Sequence, residues 1–150
     1  MQQGFTLVEL LITIAIVGIV ASMALPQIAN TVATQELNVF ANNLAADIRA
    51  IQQMAINTNG VQTIYTIYFF NGSTPQYNLH DGKRSFKIVY LPASVEMTGD
   101  PQLIRYAITG SPSSGSQTIE FRSKRTGKYR YVIVASITGR VRVSNTGGSE

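Results

Sequence analysis

Residues 5–25 form one apolar run that carries a single charge, Glu9, close to its start. As an α-helix this run is about 32 Å long at about 1.5 Å per residue, near the hydrocarbon thickness of a bilayer. That is too long for a buried helix of a small soluble domain, so the run predicts a membrane-inserted segment. Glu9 is the exception. A carboxylate at the end of an apolar helix is costly unless it finds a partner. An α-amino group is one candidate, and it exists at the right place only if the chain is cut before Phe5.

The stretch Gly4-Phe5-Thr6-Leu7-Val8-Glu9 closely resembles the N-terminus of type IV prepilins and pseudopilins, with Gly18 and Pro26 also at family-like places. The resemblance covers about the first thirty residues. It implies cleavage between Gly4 and Phe5 by a prepilin peptidase and N-methylation of the new Phe5 amine. It also implies that Glu9 pairs with the Phe5 amine of a neighbouring subunit during filament assembly. The leader departs from the pattern, since Met1-Gln2-Gln3 contains no Lys or Arg. A secretory signal peptide is the rival reading, with Ala21-Ser22-Met23-Ala24 as its cleavage site, but it would want a basic start and a shorter apolar core.

Beyond the run, roughly 120 residues remain, a normal size for one small core. The expected organisation is a leader (1–4), a transmembrane and assembly helix (5–25), and a globular domain outside the membrane (26–150). The chain has no cysteine, which excludes disulfides, thiolate metal sites and thiol chemistry. Net charge is +4, and seven of the twelve basic residues fall between residues 121 and 149: Arg122, Lys124, Arg125, Lys128, Arg130, Arg140 and Arg142. No acidic residue interrupts them before Glu150. Such a segment suits an anionic partner, whether nucleic acid, lipid headgroups or an acidic surface. It equally suits a strand edge where cations discourage edge-to-edge pairing.

Pro26 predicts a kink or a locally melted turn, because it removes a backbone donor and clashes with the preceding turn. Downstream, Ile28, Val32, Leu37, Phe40, Leu44, Ile48 and Ile51 recur mainly at helical spacing and predict an amphipathic helix over about 27–58. Its expected end is Thr58-Asn59-Gly60. From Val61 the period changes to two. Strands are expected over 61–70, 76–80, 85–91, 95–97, 103–108, 117–123, 129–137 and 140–144, with turns at Asn71-Gly72, Asp81-Gly82, Gly127 and Gly139. The sum is an α+β fold, a long helix packed on antiparallel sheet, which the prepilin resemblance implies independently.

Within Gly139-Arg140-Val141-Arg142-Val143, strand alternation puts both arginines on one face and both valines on the other. Two guanidinium groups about 7 Å apart roughly match successive phosphates of a DNA strand. Arginine also offers bidentate donors to phosphate. The block from Tyr131 to Val143 resembles the end of the GspH/FimT-like minor pilins, some of which bind DNA through a Gly-Arg-x-Arg motif. Arg140 and Arg142 match that motif, with Arg122, Lys124, Arg125, Lys128 and Arg130 as supporting contacts. A solvated strand face or a subunit contact accounts for the same residues, and Gly139 with Arg140 could serve a turn alone. Tyr129 and Tyr131 share a strand face and could stack on bases or pack against side chains of a neighbouring strand.

The enzyme inventory is thin. His80 is the single histidine, and the serines 113, 114 and 116 have no base beside them. Residues 110–115 lack the Lys of a phosphate loop. Glu96, Asp81 and Asp100 do not have calcium-loop spacing, and neither a metal nor a cofactor is expected. The resemblance therefore implies a non-enzymatic minor pilin. Its implied partners are other pilin subunits, the prepilin peptidase, an assembly platform in the membrane, lipid before assembly, and DNA. A type II secretion pseudopilin without DNA binding and an anchored module that never polymerises are the alternatives.

Overall fold

A computed structural model describes residues 6–58, 64–101 and 103–148. The chain divides into two compact units, Met1–Val32 and Ala33–Glu150. One helix, α1 (Leu7–Ile56), begins in the first unit and ends in the second.

In the first unit every described residue from Thr6 to Ile28 is exposed. The large apolar side chains from Leu7 to Leu25 are each 55–75% exposed. Covering one such side chain is worth about 1.5–3 kcal/mol, so a dozen of them define a surface that water does not tolerate. Among the described residues α1 is the one helix long and apolar enough to cross a membrane. The helix is unbroken at Pro26, so the melted turn expected there is absent. The proline removes one N–H from the ladder, and the turns on either side retain theirs.

The second unit holds the core. From α1 it buries Ala33, Leu37, Phe40, Ala41, Leu44, Ala45, Ile48, Ile51 and Ala55. The expected stripe is thus buried from Leu37 onward, whereas Ile28 and Val32 stay exposed in the first unit. The alanines extend the buried face beyond the large residues that mark it in the sequence. The helix ends at Ile56, one turn before the glycine expected to cap it; Asn59 and Gly60 lie outside the described residues.

Eight strands follow: β1 (Thr66–Phe70), β2 (Gln76–His80), β3 (Ser85–Tyr90), β4 (Val95–Thr98), β5 (Ile104–Arg105), β6 (Gln117–Ser123), β7 (Tyr129–Val134) and β8 (Val141–Ser144). They form two four-stranded antiparallel sheets, ordered β3-β2-β1-β5 and β4-β6-β7-β8. Phe40 joins helix and sheets. Its ring meets Tyr77 of β2 edge-on at 5.8 Å and Phe121 of β6 at 5.1 Å. All members of the core cluster lie between Leu37 and Val143, so residues 27–150 keep the whole core.

Several strands are shorter than the sequence suggests. β1 starts at Thr66, and of the residues before it 61–63 lie outside the described part. β5 stops after two residues because Ala107 and Gly110 turn the chain, with the Ala107 N–H on the Ser111 carbonyl and the Gly110 N–H on the Ala107 carbonyl. β7 ends at Val134, not Ile137, because the Gly139 N–H bonds the Ala135 carbonyl and closes a turn. Arg140 consequently belongs to that turn and precedes β8.

Candidate assembly segment and nucleic-acid interface

Gly4 and Phe5, the expected processing site, lie outside the described residues. The next residues show how the helix begins. The Thr6 hydroxyl accepts the Glu9 N–H at 3.3 Å, which satisfies one of the orphan donors of the first turn. Thr6 and Glu9 have the spacing of a capping box, and an acidic residue suits the positive end of the helix dipole. Glu9 therefore has a local reason to stand in the first turn, which the sequence reading missed although Thr-x-x-Glu is its signature.

The second sheet presents one face to the core through Val95, Met97, Ile119, Phe121, Val132, Val134 and Val141. Strand alternation sends Arg122, Tyr129, Tyr131 and Arg142 to the opposite face. Arg142 stands across from Ile133, and the buried Val141 pairs with Val134. Arg140, Arg142, Ser116, Ile133 and Ala135 line one small recess. The two arginines thus share a face, although Arg140 stands in the turn and not on the strand.

The turn that carries Arg140 is clamped from α1. The Arg49 guanidinium donates to the Val141 carbonyl at 2.9 Å. The Gln52 amide donates to the Gly110 carbonyl at 2.7 Å and to the Thr138 carbonyl at 3.3 Å. Gly139 has φ of +66° and packs so closely that an added methyl would stand 2.4 Å from the Gly110 carbonyl oxygen and 2.6 Å from the Gln52 amide nitrogen. Only glycine meets both demands, for a left-handed backbone and for no side-chain volume. The buried Tyr106 hydroxyl reaches the Gly139 carbonyl at 3.4 Å, and burial pushes that phenol up to about 12.

The other five cations do not join Arg140 and Arg142 in one patch. Arg122 is paired with Glu96 at 3.2 Å, and its guanidinium lies over the Tyr129 ring at 5.8 Å. Lys124, Arg125 and Lys128 are exposed in the β6–β7 turn, which the Ser123 N–H closes onto the Lys128 carbonyl. Arg130, two residues before the core-facing Val132, lies on the same side of β7 as that valine and so opposite Arg142, its guanidinium on the Tyr129 carbonyl at 2.7 Å. Along β7 the level of Arg142 and that of Tyr129 are four residues apart, about 13 Å. Glu120 stands between those levels, across from Tyr131.

Tyr129 and Tyr131 stack on each other, with centroids 6.2 Å apart and planes 15° from parallel. Desolvation, then the Glu120 charge and Tyr129, raise the Tyr131 phenol above its ordinary value. His80 accepts the Gly82 N–H at 3.0 Å in its turn, and Ser113 donates to the Arg105 carbonyl at 3.1 Å. Both therefore serve the backbone around them.

Comparison with known proteins adds the following. A family model, the prokaryotic N-terminal methylation motif, matches residues 1–25. A type IV major fimbrial protein, FimA of Dichelobacter nodosus, is 47% identical over 38 residues, 25% of this chain and 24% of that protein. The fimbrial protein EcpB of Eikenella corrodens is 36% identical over 63 residues, 42% of this chain and 39% of its own length. The matched part therefore spans from about a quarter to two fifths of these relatives. No solved structure matches the chain.

Proposed function

We propose that this type IV pilin-like chain is a minor pilin that holds DNA on the filament. In this reading prepilin peptidase cuts between Gly4 and Phe5, and the processed subunit waits in the cytoplasmic membrane, surrounded by lipid, with residues 26–150 outside. An assembly platform then passes it into a helical filament of pilin subunits, where Glu9 meets the Phe5 amine of a neighbour. The N-terminal methylation motif supports the processing, and the exposed apolar surface from Leu7 to Leu25 supports the insertion. The DNA reading rests on one observation, the shared recess of Arg140 and Arg142 on the face of the second sheet turned away from the core. Two guanidinium groups there suit phosphates and carry no base information, so binding would be independent of sequence.

Electrophoretic mobility shifts of residues 27–150 with random duplex DNA test this. Binding should weaken with salt, and Arg140→Ala/Arg142→Ala should lower the salt slope by about two. No binding at low salt by the folded domain would refute DNA contact. A secretion pseudopilin is the second reading. It is favoured by Glu96 neutralising Arg122 and by the packing role of Gly139, which explain part of the basic segment without an outside partner.

A further inference from the structure

We infer that the C-terminal residues 145–148 are a strap that closes over the Arg142–Tyr131 face and competes with the anionic ligand proposed for it. The inference rests on the DNA reading above. After β8 the chain folds back, the Thr146 N–H donating to the Ser144 hydroxyl at 3.1 Å. The two hydroxyls are 3.3 Å apart. Gly147 then lies on the Tyr131 ring: a methyl added to it would stand 3.0 Å from Cε1, 3.3 Å from Cδ1 and 3.5 Å from Cζ. The Gly148 carbonyl accepts a hydrogen bond from Arg142 Nη2 at 3.4 Å.

These contacts occupy what a nucleic acid would use. Tyr131 already meets Tyr129, and Gly147 also lies against its ring. Tyr129 in turn lies under Arg122. Arg142 gives one of its donors to a backbone carbonyl instead of a phosphate oxygen. The strap is also built to move. Two adjacent glycines, Gly147 and Gly148, carry no side chain to anchor it, and the bond from Arg142 to the Gly148 carbonyl is long at 3.4 Å. A site open for only part of the time binds with its affinity reduced by that fraction. If the strap is closed about 90% of the time, removing it tightens binding about tenfold.

The test compares residues 27–150 with three variants in fluorescence-anisotropy titrations against a 24-base-pair random duplex. The first ends at Asn145, the second carries Gly147→Val, whose branched side chain does not fit against the ring, and the third carries Glu150→Gln. The truncation and Gly147→Val should each tighten binding about three- to tenfold with the melting temperature unchanged. Glu150→Gln should change it less than about twofold, since the effect of a single charge is screened at ordinary salt. Arg142→Ala in the truncated chain should abolish the gain. Equal or weaker binding by the truncation and Gly147→Val would overturn the strap. A gain reproduced in full by Glu150→Gln would also overturn it, by assigning the effect to charge. If no form binds DNA, the DNA reading fails and the strap's role fails with it, a result distinct from binding that ignores the strap.

Discussion

Among the described glycines, Gly139→Ala should be the most damaging substitution. Alanine at φ of +66° costs about 1–2 kcal/mol in backbone strain. Its methyl would also stand 2.4 Å from the Gly110 carbonyl oxygen and 3.0 Å from the Tyr106 ring. Gly110 has little room to withdraw, because a methyl at its own Cα would be 2.8 Å from Ile56 Cδ1. Relieving such overpacking costs about 1–3 kcal/mol. The shift also disturbs the two bonds from Gln52, each worth about 0.5–1.5 kcal/mol. A total near 3–5 kcal/mol follows when these partly overlapping costs are combined. At about 3–5 °C per kcal/mol for a domain of this size, the melting temperature of residues 27–150 should fall by roughly 10–20 °C in a circular-dichroism melt. Gln52→Ala is the control. It removes the same two bonds without strain or clash and should cost about 1–2 kcal/mol. If Gly139→Ala costs no more than Gln52→Ala, the close approach of Gly139 to Gly110 is not what holds this turn.

Asp47→Ala should cost about 2–3 kcal/mol in the same melt. It leaves the buried Tyr77 hydroxyl without its acceptor at 2.8 Å and Lys87 without its carboxylate at 2.6 Å. Lys87→Ala should cost under about 1 kcal/mol, because that side chain is half exposed. Tyr106→Phe should flatten the alkaline end of the stability profile. A phenol raised by burial stabilises fully below its unfolded value near 10, and that contribution is lost as pH rises through about 12. The parent should therefore lose roughly 1–2 kcal/mol more than the variant between pH 10 and 12, read by urea unfolding. Glu9→Ala should lower incorporation of the full chain into filaments while leaving the melt of the second unit unchanged, and equal incorporation would remove Glu9 from assembly.

How much of this was legible follows from the range of each interaction. The buried face of α1 from Leu37 to Ile51 is visible because large apolar residues repeat at helical spacing. Ala41, Ala45 and Ala55 are equally buried, but alanine is as common on exposed faces and gives no signal. Ile28 and Val32 fit the same period and remain exposed, since spacing says which side of a helix is apolar and not how far its cover extends. The hairpins were legible from local turn chemistry. The clamp of Arg49 on Val141 joins residues 92 positions apart, and that of Gln52 on Gly110 joins residues 58 apart. Nothing in the sequence near either residue marks it. The basic segment read as one stripe because a sequence lists its cations in a row. Antiparallel folding then sends Arg130 to one face, pairs Arg122 with Glu96 on the other, and sets the β6–β7 turn apart from Arg140 and Arg142.

That separation decides which part of Gly139-Arg140-Val141-Arg142-Val143 needs an outside explanation. Gly139 is required by its backbone angle and by the Gly110 carbonyl beside it. Val141 and Val143 are required by the core. A turn with these three residues would fold with many side chains at position 140, which is exposed and contributes only its backbone carbonyl, to the Ala135 N–H, and its N–H, to the Thr138 hydroxyl. Arg142 makes contacts of its own, among them a donation to the Gly148 carbonyl. Packing therefore accounts for the small and apolar members of the motif, and the side chain of Arg140 is the member that the turn does not require. That side chain lines the same recess as Arg142, and the shared recess is the strongest reason to look for an anion there.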